Sequence, residues 1–82
     1  MKTLFPVNQL VEVEWTDACG SGAWQDIDDY RKLAPMPCLT AGYLLVKDKE
    51  KVTVLSTQSL DGGGNGAISI PTQWIKSIRK LK

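Results

Sequence analysis

The chain has 82 residues, 43% of them hydrophobic, with ten basic and nine acidic residues and no histidine. This length predicts one small domain over residues 1–82, whose thin core favours oligomerisation. Two cysteines without histidine cannot complete a four-ligand zinc site, and no apolar run reaches the 18 residues of a membrane span.

Cysteine usage and the N-terminal residues favour a cytoplasmic protein. Cys19 and Cys38 are the only thiols, and the chain lacks the apolar segment of a secretory signal. We therefore expect reduced cysteines, no cofactor and no membrane partner. Residues 1–46 hold six acidic and three basic residues, and residues 47–82 hold seven basic and three acidic residues. The segregated charges indicate either solvated faces, which is the favoured interpretation, or a basic surface for phosphates or a contact between subunits.

The first predicted element is a strand over residues 7–16. Val11, Val13 and Trp15 alternate with Glu12 and Glu14. This period of two is typical of a half-buried strand, and Pro6 fits its start because proline has no backbone donor. Residues 1–5 are expected to be a lead-in whose Leu4 and Phe5 cover an open end of the domain.

A long irregular segment follows, over residues 17–38. Apolar residues recur in it at about helical spacing: Trp24, Ile27, Tyr30, Leu33 and Ala34. Asp26 is a candidate N-cap and Pro35 would end the run, so the spacing predicts a short helix. Trp24 and Tyr30 are expected to anchor the loop rather than to bind a ligand.

Three aspartates in this loop, Asp26, Asp28 and Asp29, are a candidate site for a hard cation. The cluster lacks the glycine and the distal glutamate of a calcium loop. A solvated, helix-capping face is therefore the favoured interpretation.

The central stretch, residues 42–55, predicts a β-hairpin. Two apolar runs rich in β-branched residues flank the charged segment Lys47-Asp48-Lys49-Glu50-Lys51. Asp48 begins the tight turn, where its carboxylate can accept a hydrogen bond from the backbone two residues on. The second strand is expected to end at Thr57 or Gln58.

Residues 61–66, with four glycines, predict a mobile turn. A phosphate-binding loop would require a helix after the glycines, whereas the short strand 67–70 follows here. The turn is therefore the favoured interpretation.

Two spaced motifs resemble those of Sm-like proteins. Gly42, Leu44, Asp48 and Leu55 match the first motif, in which a glycine begins a strongly bent strand and an aspartate ends it. Ile70, Ile75 and Ile78 match the second motif, in which an apolar strand and a tight turn precede the last strand. The match covers roughly the C-terminal half of the chain.

The resemblance implies a mainly β fold: a five-stranded SH3-like or Sm-like small barrel with a long first loop that holds a short helix. It also implies a homo-oligomer, a closed ring of five to seven subunits in which strand 67–70 pairs with the fifth strand of the next subunit. The ending Ile-Pro-x-x-x-Ile at Ile70–Ile75 and the segment Trp15-Thr16-Asp17-Ala18 are also similar to a group of small phage-encoded proteins.

The base pocket of RNA-binding Sm proteins does not carry over to this chain. Glu50 stands at the stacking position, Val52 at the asparagine position, and Pro71-Thr72 replaces Arg-Gly. Glutamate offers no π-face and valine no donor for a base edge. The remaining candidates combine lysines with an aromatic residue, as in single-strand binders: Lys47, Lys49, Lys51, Thr72, Gln73 and Trp74. Trp74 is equally compatible with a core or interface role.

The sequence does not favour an enzyme, because it lacks histidine, a nucleophile motif and metal-ligand spacing. Two function classes stay open. The first is a ring that binds RNA or single-stranded DNA through its basic turn. The second is a phage-encoded interaction or sequestering protein that binds a host protein or a small nucleotide in the bacterial cytoplasm.

Overall fold

The computed structural model describes residues 5–81, which form five strands and two short helical turns. The strands are β1 (Leu10–Asp17), β2 (Met36–Lys47), β3 (Lys51–Gln58), β4 (Gly64–Pro71) and β5 (Ile75–Leu81). Helix α1 (Ile27–Tyr30) lies between β1 and β2, and a 3-10 turn (Thr72–Trp74) separates β4 from β5. All pairings are antiparallel, in one sheet of order β4-β3-β2-β1-β5. The predicted mainly β fold with five antiparallel strands is confirmed.

The sheet is open between its two edge strands, β4 and β5. Only the three residues of the 3-10 turn join them, yet β5 crosses to the far side of the sheet and pairs with β1. Both strands therefore keep one edge free within residues 5–81. Closure into a small barrel stays a prediction.

A small apolar core lies on one face of the sheet. Its fully buried members come from β1, β3 and β4: Val11, Val13, Trp15, Val52, Val54 and Ile70. The indole N–H of Trp15 donates to Thr40 Oγ1 on β2 at 3.0 Å, which satisfies the one polar atom that this ring buries. The radius of gyration of 16.5 Å exceeds the roughly 12 Å of a compact chain of this length, so the fold is extended.

The predicted hairpin is confirmed as β2, a three-residue turn and β3, and Gly42 lies against β3 with no room for a side chain. A Cβ at this position would lie 2.6 Å from the carbonyl oxygen of Leu55 and 2.6 Å from Val54 Cγ1. The register of β2 against β3 shifts just beyond, between Leu44 and Val46. Such a shift bends a strand, so the glycine and the bulge together redirect β2.

The start of β1 differs from the prediction, which placed it at residue 7. Val7 instead exchanges two hydrogen bonds with the side chain of Gln58: its N–H donates at 3.1 Å and its carbonyl accepts at 2.6 Å. The Gln9 carbonyl accepts from the N–H of Leu44 at 2.8 Å. The side-chain amide thus takes the place of a neighbouring strand, and regular pairing begins only at Leu10. Leu4 lies outside the described residues, and Phe5 is partly exposed.

The first loop contains the expected short helix, but the helix covers only Ile27–Tyr30 and does not extend to Pro35. Asp26 occupies the N-cap position without a side-chain cap hydrogen bond. Residues 36 and 37, predicted as loop, already belong to β2. The helix buries no residue, so no packing extends it and local propensity alone cannot sustain a longer helix.

Of the two predicted loop anchors, Tyr30 anchors the loop and Trp24 does not. The Tyr30 hydroxyl donates to the carbonyl oxygens of Ala23 and Ser21, as expected of an anchor. Trp24 is fully exposed, so its predicted anchoring role is wrong. Helix α1, which begins three residues on, buries no residue, so it forms no packed apolar cluster that the indole could join.

The prediction that residues 61–66 form only a turn is also wrong. β4 begins at Gly64, where Gly64 pairs with Gln58 and Asn65 with Thr57. The turn is confined to residues 60–62 and is held by the N–H of Ser59, which donates to the Gly63 carbonyl at 2.9 Å. The polar end of β3 supplies ladder partners that the glycine-rich composition did not indicate.

Gly42→Ala should lower the free energy of unfolding by about 1–3 kcal/mol, the usual cost of overpacking, because the Leu55 carbonyl oxygen cannot move without breaking the β2–β3 ladder. Chemical denaturation measures the change. Gly20→Ala is the matched control, since a Cβ at Gly20 has no atom within 4 Å. An equal loss of unfolding free energy in both variants would contradict a special role for the close contact between Gly42 and Leu55.

Candidate nucleic-acid interface

The turn between β2 and β3 is organised by the side chain of Asp48. Its Oδ1 accepts hydrogen bonds from the backbone N–H groups of Glu50 at 2.8 Å and Lys51 at 2.9 Å. The donors at Lys51 and Glu50 hold the pKa of Asp48 below its ordinary value, because they stabilise the charged carboxylate. The predicted structural role of Asp48 is confirmed.

The backbone of the same turn is bonded to the 3-10 turn. The Thr72 hydroxyl donates to the Asp48 carbonyl at 2.9 Å, and the Thr72 N–H donates to the Glu50 carbonyl at 3.0 Å. Two segments that are far apart in sequence therefore form one unit. Because Gln73 and Trp74 directly follow Thr72, they lie beside the turn that carries the lysines.

Of the predicted site residues, Thr72 is bonded to the turn that carries the lysines, and Gln73 and Trp74 follow it in the 3-10 turn. Lys47 ends β2, Lys49 lies in the turn and Lys51 begins β3, and all three are exposed. None of the three forms an ion pair with another described residue. The same five-residue segment, 47–51, also holds Asp48 and Glu50, so its net formal charge is +1.

Other cations of the second half of the chain are compensated within the sheet. Arg79 Nη2 lies 2.8 Å from Glu12 Oε1, and Lys76 Nζ lies 3.5 Å from Glu14 Oε2. β1 and β5 are neighbours, so much of the charge segregation in the sequence is a pairing of acidic and basic strands inside one chain. Within residues 47–81 the cations that form no ion pair are Lys80 and the three lysines of the turn.

Trp74 lines a cleft of about 530 Å³ on the other side of the 3-10 turn. The side chain is 43% exposed and does not belong to the core, so of the alternatives considered for it the core role is wrong. The cleft has apolar walls from Trp74, Ile75 and Pro35 and polar groups from Asp17, Gln73 and Lys76. An aromatic face next to polar side chains suits a flat, partly polar ligand.

Sequence reasoning missed three members of this cleft: Asp17, Pro35 and Lys76. They come from the end of β1, from the loop before β2 and from the start of β5. Of the three, only Asp17 lies in a segment that sequence reasoning singled out, Trp15–Ala18, and the other singled-out segment was Ile70–Ile75. Those two segments meet at the cleft.

The acidic residues of the first loop do not form a metal site within residues 5–81. Asp28 pairs with Arg31 and Asp29 pairs with Lys32, each three residues on, and all four side chains are largely exposed. This arrangement agrees with a solvated face. Cys19 and Cys38 are free thiols.

Comparisons of the chain with protein-family models, with curated proteins and with solved structures give no match. The resemblance to Sm-like proteins therefore stays a prediction that depends on the two spaced motifs. Of the helices in residues 5–81, none is long and apolar enough to cross a membrane.

Asp48→Ala should lower Tm by several degrees at pH 7, because the backbone N–H groups of Glu50 and Lys51 lose their charged acceptor. A carboxyl group whose pKa is depressed in the folded chain contributes stability above its unfolded pKa of about 4, and that contribution is lost as the pH falls through the folded value. The Tm difference between parent and variant should therefore shrink below about pH 4.

Thermal unfolding followed by circular dichroism at pH 7 and at pH 2.5 measures both effects. Asp26→Ala is the control, since Asp26 caps its helix with no side-chain hydrogen bond. A Tm of Asp48→Ala equal to that of the parent at pH 7 would contradict the structural role.

Proposed function

We propose that this protein is a non-catalytic, Sm-like small barrel that assembles into a closed ring and binds RNA or single-stranded DNA through its basic turn. One observation carries the proposal. Three exposed lysines, none of them in an ion pair with another described residue, lie on a turn that is hydrogen-bonded to the segment bearing a half-exposed tryptophan. Lysines that contact phosphates next to an aromatic ring that stacks on a base are the usual means of binding single strands.

The strand order and the bend of β2 support the small-barrel part of the proposal. An SH3-like barrel is a strongly bent antiparallel sheet whose first strand pairs with both the second and the fifth, and β1 pairs with β2 and β5 here. A second register shift, between Glu14 and Trp15, bends the β1–β5 pair. Bulges of this kind are how small sheets curl towards closure.

The free edge of β4 supports assembly. β4 carries no charged residue, and its only proline is the last residue, so nothing along the strand blocks pairing with another strand. Ile68 pairs with Val54 on the core side of the sheet, yet it remains 37% exposed because no strand lies beyond it. A second copy whose β5 added to this edge would cover that side chain, and such a head-to-tail contact must close into a ring or continue as a filament.

The hydrogen-bonding direction of β4 fits the same contact. Asp48 N–H donates to the Lys51 carbonyl, so the backbone of Lys51 faces β2. In an antiparallel ladder every second residue bonds to the same neighbour, so the backbone N–H and carbonyl of Thr53 also face β2. Its partner Ser69 therefore directs its own backbone N–H and carbonyl to the outer edge. These groups are available to a neighbouring strand.

An interaction or sequestering protein of phage origin is the second candidate, and one observation favours it. The first loop exposes Trp24 completely and Ile27 by 71%. Large apolar side chains exposed together mark protein contacts. A bacterial protein retained by the immobilised chain, lost with Trp24→Ala and kept with Trp74→Ala, would support this candidate over nucleic-acid binding.

Replacing Lys47, Lys49 and Lys51 together by glutamine should weaken oligonucleotide binding. The slope of log Kd against log salt should fall by up to about 3, the value for three lost phosphate contacts. Fluorescence anisotropy of a labelled oligonucleotide between 50 and 200 mM salt measures it. Replacing Arg31, Lys32 and Lys80 by glutamine removes the same charge elsewhere and should change the slope less. Equal slopes in the two triple variants would remove the basic turn from the proposal.

Ser69→Pro should dissociate the assembly, because proline removes the outward backbone donor from the free edge of β4. Ser69→Ala keeps this donor and should assemble as the parent does. Sedimentation equilibrium at micromolar concentration distinguishes the two variants. A parent that sediments as a single 9.0 kDa species would rule out the ring.

A further inference from the structure

The cleft beside Trp74 offers chemistry that phosphate binding alone leaves unused. Asp17 lines it and makes no hydrogen bond or ion pair through its side chain with the other described residues. The amide of Gln73 is likewise without such a partner within residues 5–81. A carboxylate accepts only, so this acceptor suits a ligand that presents donors.

We propose that this cleft is a guanine-binding site, in which the base stacks on Trp74 and donates its N1–H and N2–H to the carboxylate of Asp17. The proposal rests on the proposed nucleic-acid function and names the base that the site selects. Guanine is the only common base with two adjacent donors on its Watson–Crick edge. Adenine, cytosine and uracil each place an acceptor beside a donor there and would set a lone pair against the carboxylate.

Charge and size distinguish a base from other flat ligands. A guanidinium or methylated ammonium group would also satisfy an aromatic ring and a carboxylate. Lys76 also lines the cleft; its ammonium lies 3.5 Å from Glu14 Oε2, but its side chain is 75% exposed, so this weak surface pair leaves it accessible to a phosphate. A base joined to a phosphate can use both Asp17 and Lys76, whereas a cation can use only Asp17, and a volume of about 530 Å³ holds a nucleotide.

The position of the cleft relative to the lysines supports one continuous path for a strand. Thr72 contacts the basic turn, and Trp74 lies two residues on, roughly 4 Å along a 3-10 turn. A strand whose phosphates contact Lys49 and Lys51 can therefore place the base of its next nucleotide in the cleft. The two neighbouring sites would then bind one strand, with the turn supplying charge and the cleft supplying base selection.

Tryptophan fluorescence provides the test, because the three tryptophans differ in exposure. Trp15 is buried, Trp24 is fully exposed and Trp74 is half-exposed. In a Trp24→Phe background, GMP should quench Trp74 with a Kd at least about fivefold lower than that of AMP, the low end of what one bidentate base contact supplies. Equal Kd values for GMP and AMP would overturn the guanine site.

Three variants in this background test the residues. Asp17→Asn replaces one acceptor by a donor and should raise the Kd for GMP at least about fivefold without raising that for AMP. Asp26→Asn, an exposed carboxamide exchange outside the cleft, should change neither. Lys76→Gln should weaken the binding of GMP but leave the binding of guanosine, which has no phosphate, unchanged. The site would be overturned if Asp17→Asn left the Kd for GMP unchanged while its circular dichroism matched that of the parent. Tighter binding of an arginine amide than of GMP would also overturn it.

Oligonucleotides separate this inference from the proposed function. An oligothymidine carrying one central guanine should bind more tightly than its adenine counterpart, and Asp17→Asn should abolish the difference. Salt-dependent binding of both with equal affinity would keep the proposed function and overturn the guanine site. GMP selectivity without any oligonucleotide binding would keep the guanine site, as a mononucleotide site, and overturn the proposed function.

Discussion

Four hydrogen bonds around the turn between β2 and β3 hold this turn and the 3-10 turn together. Asp48 Oδ1 accepts from the backbone of Glu50 and Lys51, while the carbonyls of Asp48 and Glu50 accept from Thr72. The first pair closes the hairpin, and the second pair fixes the 3-10 turn against it. Neither turn is buried, so packing alone would not hold them together. A few polar contacts thus join the basic turn to Trp74 without the support of a large core.

The thin core and the free edges have the same origin. Within residues 5–81 the regular structure is one sheet with two short helical turns, and neither turn buries a residue. Burial is complete where Val52, Val54 and Ile70 pack with the apolar side chains of β1. Towards the outer side of β4 burial fails, as the exposure of Ile68 shows. A chain of this kind gains more from a strand added at its edge than a protein with a complete core does.

Sequence patterns predicted the elements that short-range physics determines. The hairpin follows from β-branched runs around a charged turn, and Gly42 was singled out by motif spacing. The loop helix was overestimated, because spacing indicates a helix but not whether anything packs on it. Gly64 and Asn65 were misassigned, because their strand conformation comes from ladder partners in β3. The cleft was missed for a related reason: Asp17, Pro35 and Lys76 meet only through the pairing of β1 with its two neighbours.

The pairing of β1 with β5 has a consequence for how the chain acquires its structure. Leu10 lies opposite Leu81, so the first strand finds one of its two partners only at the other end of the sequence. The hairpins β2–β3 and β3–β4 are local and can form early, whereas closing the β1–β5 pair brings together nearly the whole chain. Such non-local pairing slows folding. During synthesis one edge of β1 therefore remains unpaired until β5 has left the ribosome, and chains without β5 carry an unprotected edge prone to aggregation.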